Sequence, residues 1–149
     1  MGRKAKILMI DDSKLDQVAV KRVIDKLYDD KIGCTFRQGI DDAIEELCSG
    51  TSGVETLPDL ILLDLNLDDG NGLEFIVELK KHPQARAVPV VIFSSSTDIN
   101  DIRTAYDRGA SSYWSKPCNP RDLEVGLRKL CEYWFSKPNL LPLGCSFFD

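Results

Sequence analysis

Short apolar runs alternate along this chain with longer stretches in which apolar residues recur every three or four positions. "KILMI" (6–10), "IGCTFR" (32–37), "LILL" (60–63), "VVIF" (90–93) and "SSYWS" (111–115) read as strands, the second being the weakest. After the first run, Ser13 or Asp12 is placed to cap a helix whose apolar positions are Leu15, Val18, Val20, Val23, Ile24 and Leu27. "DDAIEELC" (41–48) predicts a second helix with the Gly/Ser/Thr-rich loop 49–58 as its exit. Gly70 and Gly72 bracket a tight turn into a third, "LEFIVELKK". Asp98 begins a fourth, "DINDIRTAYDRG", which Gly109 stops, and Pro120 sits in the first turn of a last helix ending near Phe135.

Five β-α units in this order, with central strands apolar on both faces, predict an α/β fold: a parallel sheet covered by helices on both sides. Right-handed crossovers leave few windings, and the doubly wound, flavodoxin-like order 2-1-3-4-5 suits five strands. Its switch point lies between strands 1 and 3, and ligands of such folds sit beyond the carboxyl ends of the strands there. Residues 1–135 are expected to form one domain and 136–149 a C-terminal extension.

Composition narrows the function classes. The chain has 149 residues and a formal net charge of -5, which offers no clustered basic face for nucleic acid. The apolar stretch Ile7–Ile10 behind the basic start is far too short for a signal-peptide core or a membrane span, so a cytoplasmic location is expected. The five cysteines are scattered and form no C-x-x-C pair, as reduced thiols in or near a core would be. His82, the single histidine, precedes Pro83 at a helix end and is expected on the surface.

The strand ends hold the chemistry. Asp11 and Asp12 follow strand 1, Asp64 follows strand 3, Ser94 strand 4 and Lys116 strand 5. Three carboxylates thus converge at the switch point, and two such charges about 4 Å apart repel by roughly 4 kcal/mol at an effective dielectric near 20. A hard divalent cation resolves the conflict, and oxygen-only ligands suit Mg²⁺. Lys116 adds a fixed positive charge and Ser94 a hydroxyl, the pair wanted around the oxygens of a phosphoryl group.

"ILMIDDS", "LILLDLNLDDGNGLEF", "PVVIFSSS" and "GASSYWSKP" together resemble the receiver domain of two-component response regulators, over residues 5 to about 135. The resemblance implies that Asp64 is the phosphoacceptor. It implies that Asp12, Asp64 and the backbone carbonyl of Asn66 bind Mg²⁺, with Asp11 acting through water. Ser94 and Lys116 would hold the phosphoryl oxygens, Lys116–Pro117 would be a cis peptide, and Ser94 and Tyr113 would form the switch pair. The donor would be a sensor histidine kinase or a phosphotransfer protein. The output surface would be helix 4, strand 5 and helix 5, through which identical chains are expected to pair. The ending "EYWFSKPNLLP" (132–142), the loop at 49–58 and "LILLDLNL" are further similar to single-domain regulators paired with cyanobacterial phytochromes. After the last helix too little chain remains for an output domain, so a stand-alone receiver is expected.

One departure stands out. Receivers usually carry proline four residues after the phosphoacceptor, and Asp68 stands there, which is expected to loosen the loop and adds a further carboxylate. Two other readings remain open at this stage. A degenerate receiver would act as an interaction module without phosphate. An aspartate-nucleophile phosphatase of the haloacid dehalogenase type wants a second aspartate where Asn66 stands, and leaves Asp11–Asp12 without a role. A dinucleotide site fails because no G-x-G-x-x-G follows strand 1.

Overall fold

The computed structural model describes residues 4–48 and 57–135. Strands β1 (Ala5–Ile10), β2 (Ile32–Arg37), β3 (Leu60–Leu63), β4 (Val90–Ser94) and β5 (Ser112–Ser115) form one parallel sheet. Their spatial order is β2-β1-β3-β4-β5, the doubly wound order expected from the chain. Helices α1 (Lys14–Tyr28), α2 (Ile40–Cys48), α3 (Gly72–Lys80), α4 (Ile99–Asp107) and α5 (Pro120–Phe135) follow the strands in turn. The loop at 49–56 and the extension at 136–149 lie outside the described residues.

Period-two alternation along buried strands divides the interior. Leu8, Ile10, Ile61, Leu63, Val90 and Ile92 face α2, α3 and α4, together with Phe75, Ile76 and Leu79. Ile7, Met9, Leu60, Leu62, Val91 and Phe93 face α1 and α5, against Val20, Ile24, Leu127 and Phe135. Every residue of β3 and β4 is buried. Each fully buried aliphatic side chain contributes about 1.5–3 kcal/mol relative to exposure, so the middle of the sheet is its most stable part.

Caps set where the helices begin. The Ser13 side chain accepts from the Asp16 N–H, Asn71 from Leu73 and Asp98 from Asn100, each satisfying a donor that the first turn leaves open. α5 buries Leu123, Leu127, Cys131 and Phe135, a four-residue repeat that puts one stripe against the sheet. α1 departs from expectation: Leu15 is 84% exposed and Val18 53%. The polar Gln17 is buried in their place, because its side-chain amide donates to the Asp11 carbonyl. The Gly70–Gly72 turn is also more than a turn. Asn66–Leu67 and Gly70–Asn71 pair as a small antiparallel ribbon ahead of α3.

Candidate functional site

The sheet ladder continues beyond the strands and fixes the residues of the site. Asp11 N–H donates to the Arg37 carbonyl at 3.0 Å, Asp64 N–H to Ile10 at 3.0 Å, and Lys116 N–H to Ser94 at 2.8 Å. Asp11 and Asp64 are therefore held as rigidly as β1 and β3, and both are buried, as is Ser94. Carboxylate oxygens of Asp11, Asp12 and Asp64 all lie within 4.8 Å of one another. The structure brings together the acids expected at the switch point.

Lys116 spans these acids. Its Nζ lies 2.8 Å from Asp11 Oδ2, 3.1 Å from Asp64 Oδ2 and 2.7 Å from Asp16 Oδ2, and 5.6 Å from the Phe93 ring centroid. Burial pulls this ammonium toward a lower pKa, but Asp11 and Asp16 outweigh it and hold the value above that of an ordinary lysine. Burial likewise pushes the Asp11 carboxyl up, against the opposing pull of Lys116 and the Ser13 N–H. Asp12 is raised too, by loss of solvent and then by the neighbouring Asp68 carboxylate.

The acids suit a cation. Asp11 Oδ2 is buried, with the Lys116 ammonium 2.8 Å away. Three carboxylates clustered in this way fit a hard divalent ion such as Mg²⁺ better than a metal that prefers nitrogen or sulfur.

The loop that carries Asn66 and Asp68 is tied down, contrary to the looseness expected without proline. The 66–71 ribbon holds it from within. Asn66 N–H donates to Asp64 Oδ1 at 3.3 Å. The Asp69 carboxylate accepts from the Ile40 and Asp41 N–H groups at the start of α2, at 3.0 and 3.1 Å. Hydrogen bonds to an acidic side chain do here what a proline ring would do by covalent restriction.

Ser94 and Tyr113, the expected switch pair, both meet the loop after β4. Ser94 Oγ accepts from the Ser96 N–H at 3.3 Å, and the Tyr113 hydroxyl donates to the Ser96 carbonyl at 2.8 Å. Ser96 Oγ in turn donates to Asp101 on α4 at 2.7 Å. The expected cis peptide is not found: no cis bond occurs among the described residues, so Lys116–Pro117 is trans. Trans is intrinsically favoured by about 0.5–1 kcal/mol at X–Pro bonds. Here the ladder bond from Lys116 N–H and three carboxylates aim the ammonium without the isomer.

Asp16 escaped the sequence reading. Its signal was present in S-x-x-D at 13–16, but a capping motif explains that spacing without a role in the site. His82 lies just beyond α3, partly exposed, with Nε2 3.6 Å from Glu78 Oε1 and apart from the acids.

The model of the response regulator receiver domain family matches residues 7–128. The chain belongs to that family. Receivers are the phosphoacceptor modules of two-component signalling, and this one is 32% identical over 132 residues to the probable methanogenesis regulatory protein FilR2 of Methanothrix harundinacea, covering 86% of this chain and 82% of that one. It is 29% identical over 134 residues to the response regulator Rcp1 of Synechocystis sp., covering 90% and 91% of the two chains. The phosphorylated cyanobacterial phytochrome response regulator RcpA superposes with a TM-score of 0.79 at 28% identity, over 89% of this receiver and 94% of that chain. The Mn²⁺-bound form of Rcp1 superposes at 0.75, also at 28% identity, over 87% and 94%. Among the described residues no helix is long and apolar enough to cross a membrane.

Proposed function

We propose that this receiver accepts a phosphoryl group on Asp64 from the phosphohistidine of a sensor histidine kinase or a phosphotransfer protein, in a Mg²⁺-dependent step. The observation that carries this reading is the buried Asp64 carboxylate 3.1 Å from the Lys116 ammonium and clustered with Asp11 and Asp12. An Asp64 oxygen bonds to phosphorus as the donor's P–N bond breaks. Negative charge then spreads over the equatorial oxygens, so the work of the site is positioning and electrostatic stabilisation. Lys116 and the Ser94 hydroxyl meet those oxygens. Asp12, Asp64 and the Asn66 carbonyl would hold the Mg²⁺, with Asp11 reaching it through water; the ion would supply positive charge beside the transferring group. The enzymatic chemistry of the chain is confined to this self-modification.

The surroundings suit protein partners. A cleft of about 550 Å³ between α1 and the β5–α5 connection opens beside Lys116 and Asp16, with the exposed Leu15 on its wall. A helical donor could bring its histidine to Asp64 there. A second cleft of about 530 Å³, lined by Tyr113, Trp114, Leu130, Tyr133 and Trp134, lies on the α4–β5–α5 face. With Tyr106 and Tyr133 exposed nearby, this face supports pairing of identical chains and transmission from Ser94 and Tyr113. A pathway like that of the phytochrome regulators, a cytoplasmic location, and division into a receiver at 1–135 with an extension at 136–149 belong to the same reading.

The test is incubation with acetyl phosphate and Mg²⁺ followed by intact-mass measurement. Wild type is expected to gain one phosphoryl group and Asp64→Asn none; equal labelling of both, or none of either, overturns the assignment. Light scattering with and without beryllofluoride tests the pairing.

A further inference from the structure

Lys116 poses a conflict for any receiver of this geometry. Its ammonium occupies two carboxylates, Asp11 and Asp64, that a divalent cation also needs. Arrival of the cation therefore competes with the lysine for ligands, and the two positive charges repel across a partly buried space. A lysine ammonium has three donors and directs them freely. In this chain the third is taken by Asp16, at 2.7 Å the shortest of the three contacts.

Asp16 differs from the other two partners in where it stands. It lies in the first turn of α1, with its backbone N–H bonded to Ser13 Oγ at 3.2 Å. Its side chain is 40% exposed, against 0% for Asp11 and 9% for Asp64. It is absent from the compact Asp11–Asp12–Asp64 cluster. Asp16 is thus the most solvent-exposed of the three carboxylates that meet the ammonium.

We propose that Asp16 is a positioning residue that takes up the Lys116 ammonium when a divalent cation enters, so that lysine and metal occupy the site together. As the ion draws on Asp11 and Asp64, the lysine keeps a full carboxylate partner and stays at the rim, next to the phosphoacceptor. With Asp16 neutral, Lys116 has only the metal's own ligands for partners and competes for them. This rests on the reading of Asp12 and Asp64 as cation ligands, with Asp11 reaching the ion through water.

Titration of the unphosphorylated protein with Mn²⁺, followed by calorimetry or electron paramagnetic resonance, tests the idea without any phosphoryl transfer. Asp16→Asn keeps the size of the side chain and removes its charge. Its affinity for Mn²⁺ is expected to fall on the order of tenfold, as for the loss of other outer partners of metal ligands. Asp16→Glu is expected to restore most of it. In a Lys116→Met background the Asp16→Asn change should leave the affinity unaltered, because no ammonium remains to hold. Unchanged affinity in Asp16→Asn, failure of Asp16→Glu to restore it, or an equal loss with and without Lys116, overturns the role given to Asp16 while the metal site stands. A wild-type protein that binds no Mn²⁺ overturns the metal reading and this inference with it.

Discussion

The Asp69 carboxylate lies against the backbone of Gly39, so close that a Cβ at position 39 would stand 2.6 Å from Asp69 Oδ2. This contact lets one acid from the loop after β3 close the start of α2, through the N–H groups of Ile40 and Asp41. Asp69→Ala is expected to cost about 1 kcal/mol, the usual loss when a helix-start acceptor is removed. Gly39→Ala should lose as much by forcing the carboxylate away. Chemical denaturation of both variants checks this, and stability equal to wild type in either would show that the contact holds nothing. The two N–H groups lower the Asp69 pKa in the folded state. Its contribution is therefore present above the ordinary carboxylate value of about 3.9 and lost as pH falls through the lower folded value.

Asp11 and Asp12 behave with the opposite sign. Both have folded values raised by burial, Asp12 further by Asp68. Protonation then favours the folded state, so their contribution is present below about pH 3.9 and lost as pH rises through the raised folded values. Without divalent cations their contribution to the denaturation midpoint is expected to differ with pH, falling as pH rises above about 3.9. Asp12→Asn should flatten that difference and stabilise the metal-free protein at neutral pH. A variant less stable than wild type under those conditions would contradict the account.

The Tyr113 hydroxyl is a structural fastener for the loop after β4. Tyr113→Phe strips the donor from the Ser96 carbonyl and is expected to cost about 0.5–1.5 kcal/mol, the net worth of one hydrogen bond. Amide hydrogen exchange at residues 95–98 should rise above wild type. Unchanged exchange there would show that the Ser96–Asp101 bond alone secures the loop.

Gly126 lies on α5 directly under the Trp114 indole, which a Cβ would strike. Replacing a helix glycine by alanine ordinarily stabilises by about 1 kcal/mol. Here Gly126→Ala is expected to destabilise, since overpacking typically costs about 1–3 kcal/mol. Trp114 also packs on Phe93, with ring centroids 4.7 Å apart. Tryptophan fluorescence should therefore change along with the thermal midpoint, and a more stable variant with unchanged emission would refute the clash.

Much of this was legible in the chain because burial on both sides leaves a plain trace. "LILL" reads as a strand and is one, Leu60–Leu63, with every side chain buried. Asp64 announced itself as a carboxylate ending such a run. What depends on side-chain reach was not legible. Leu15 and Val18 match the helical repeat yet face solvent, because Gln17 has a buried carbonyl to bind. Asp68 in place of proline pointed to a loose loop, while the restraint came from its neighbour Asp69 acting on residues about thirty positions earlier. The Lys116–Pro117 isomer and the third partner of Lys116 are likewise three-dimensional facts.

β5 closes one side of the sheet, and a bare strand there would be a template on which another chain could grow. The Tyr106 hydroxyl, reaching over from α4, takes the Tyr113 N–H at 3.1 Å. That single bond removes a main-chain donor from the border at mid-strand, where a docking strand would first find register. A chain lacking it would leave that donor open to a strand pairing side by side with β5. The hydroxyl from α4 thereby covers a main-chain donor at the β5 edge of the sheet.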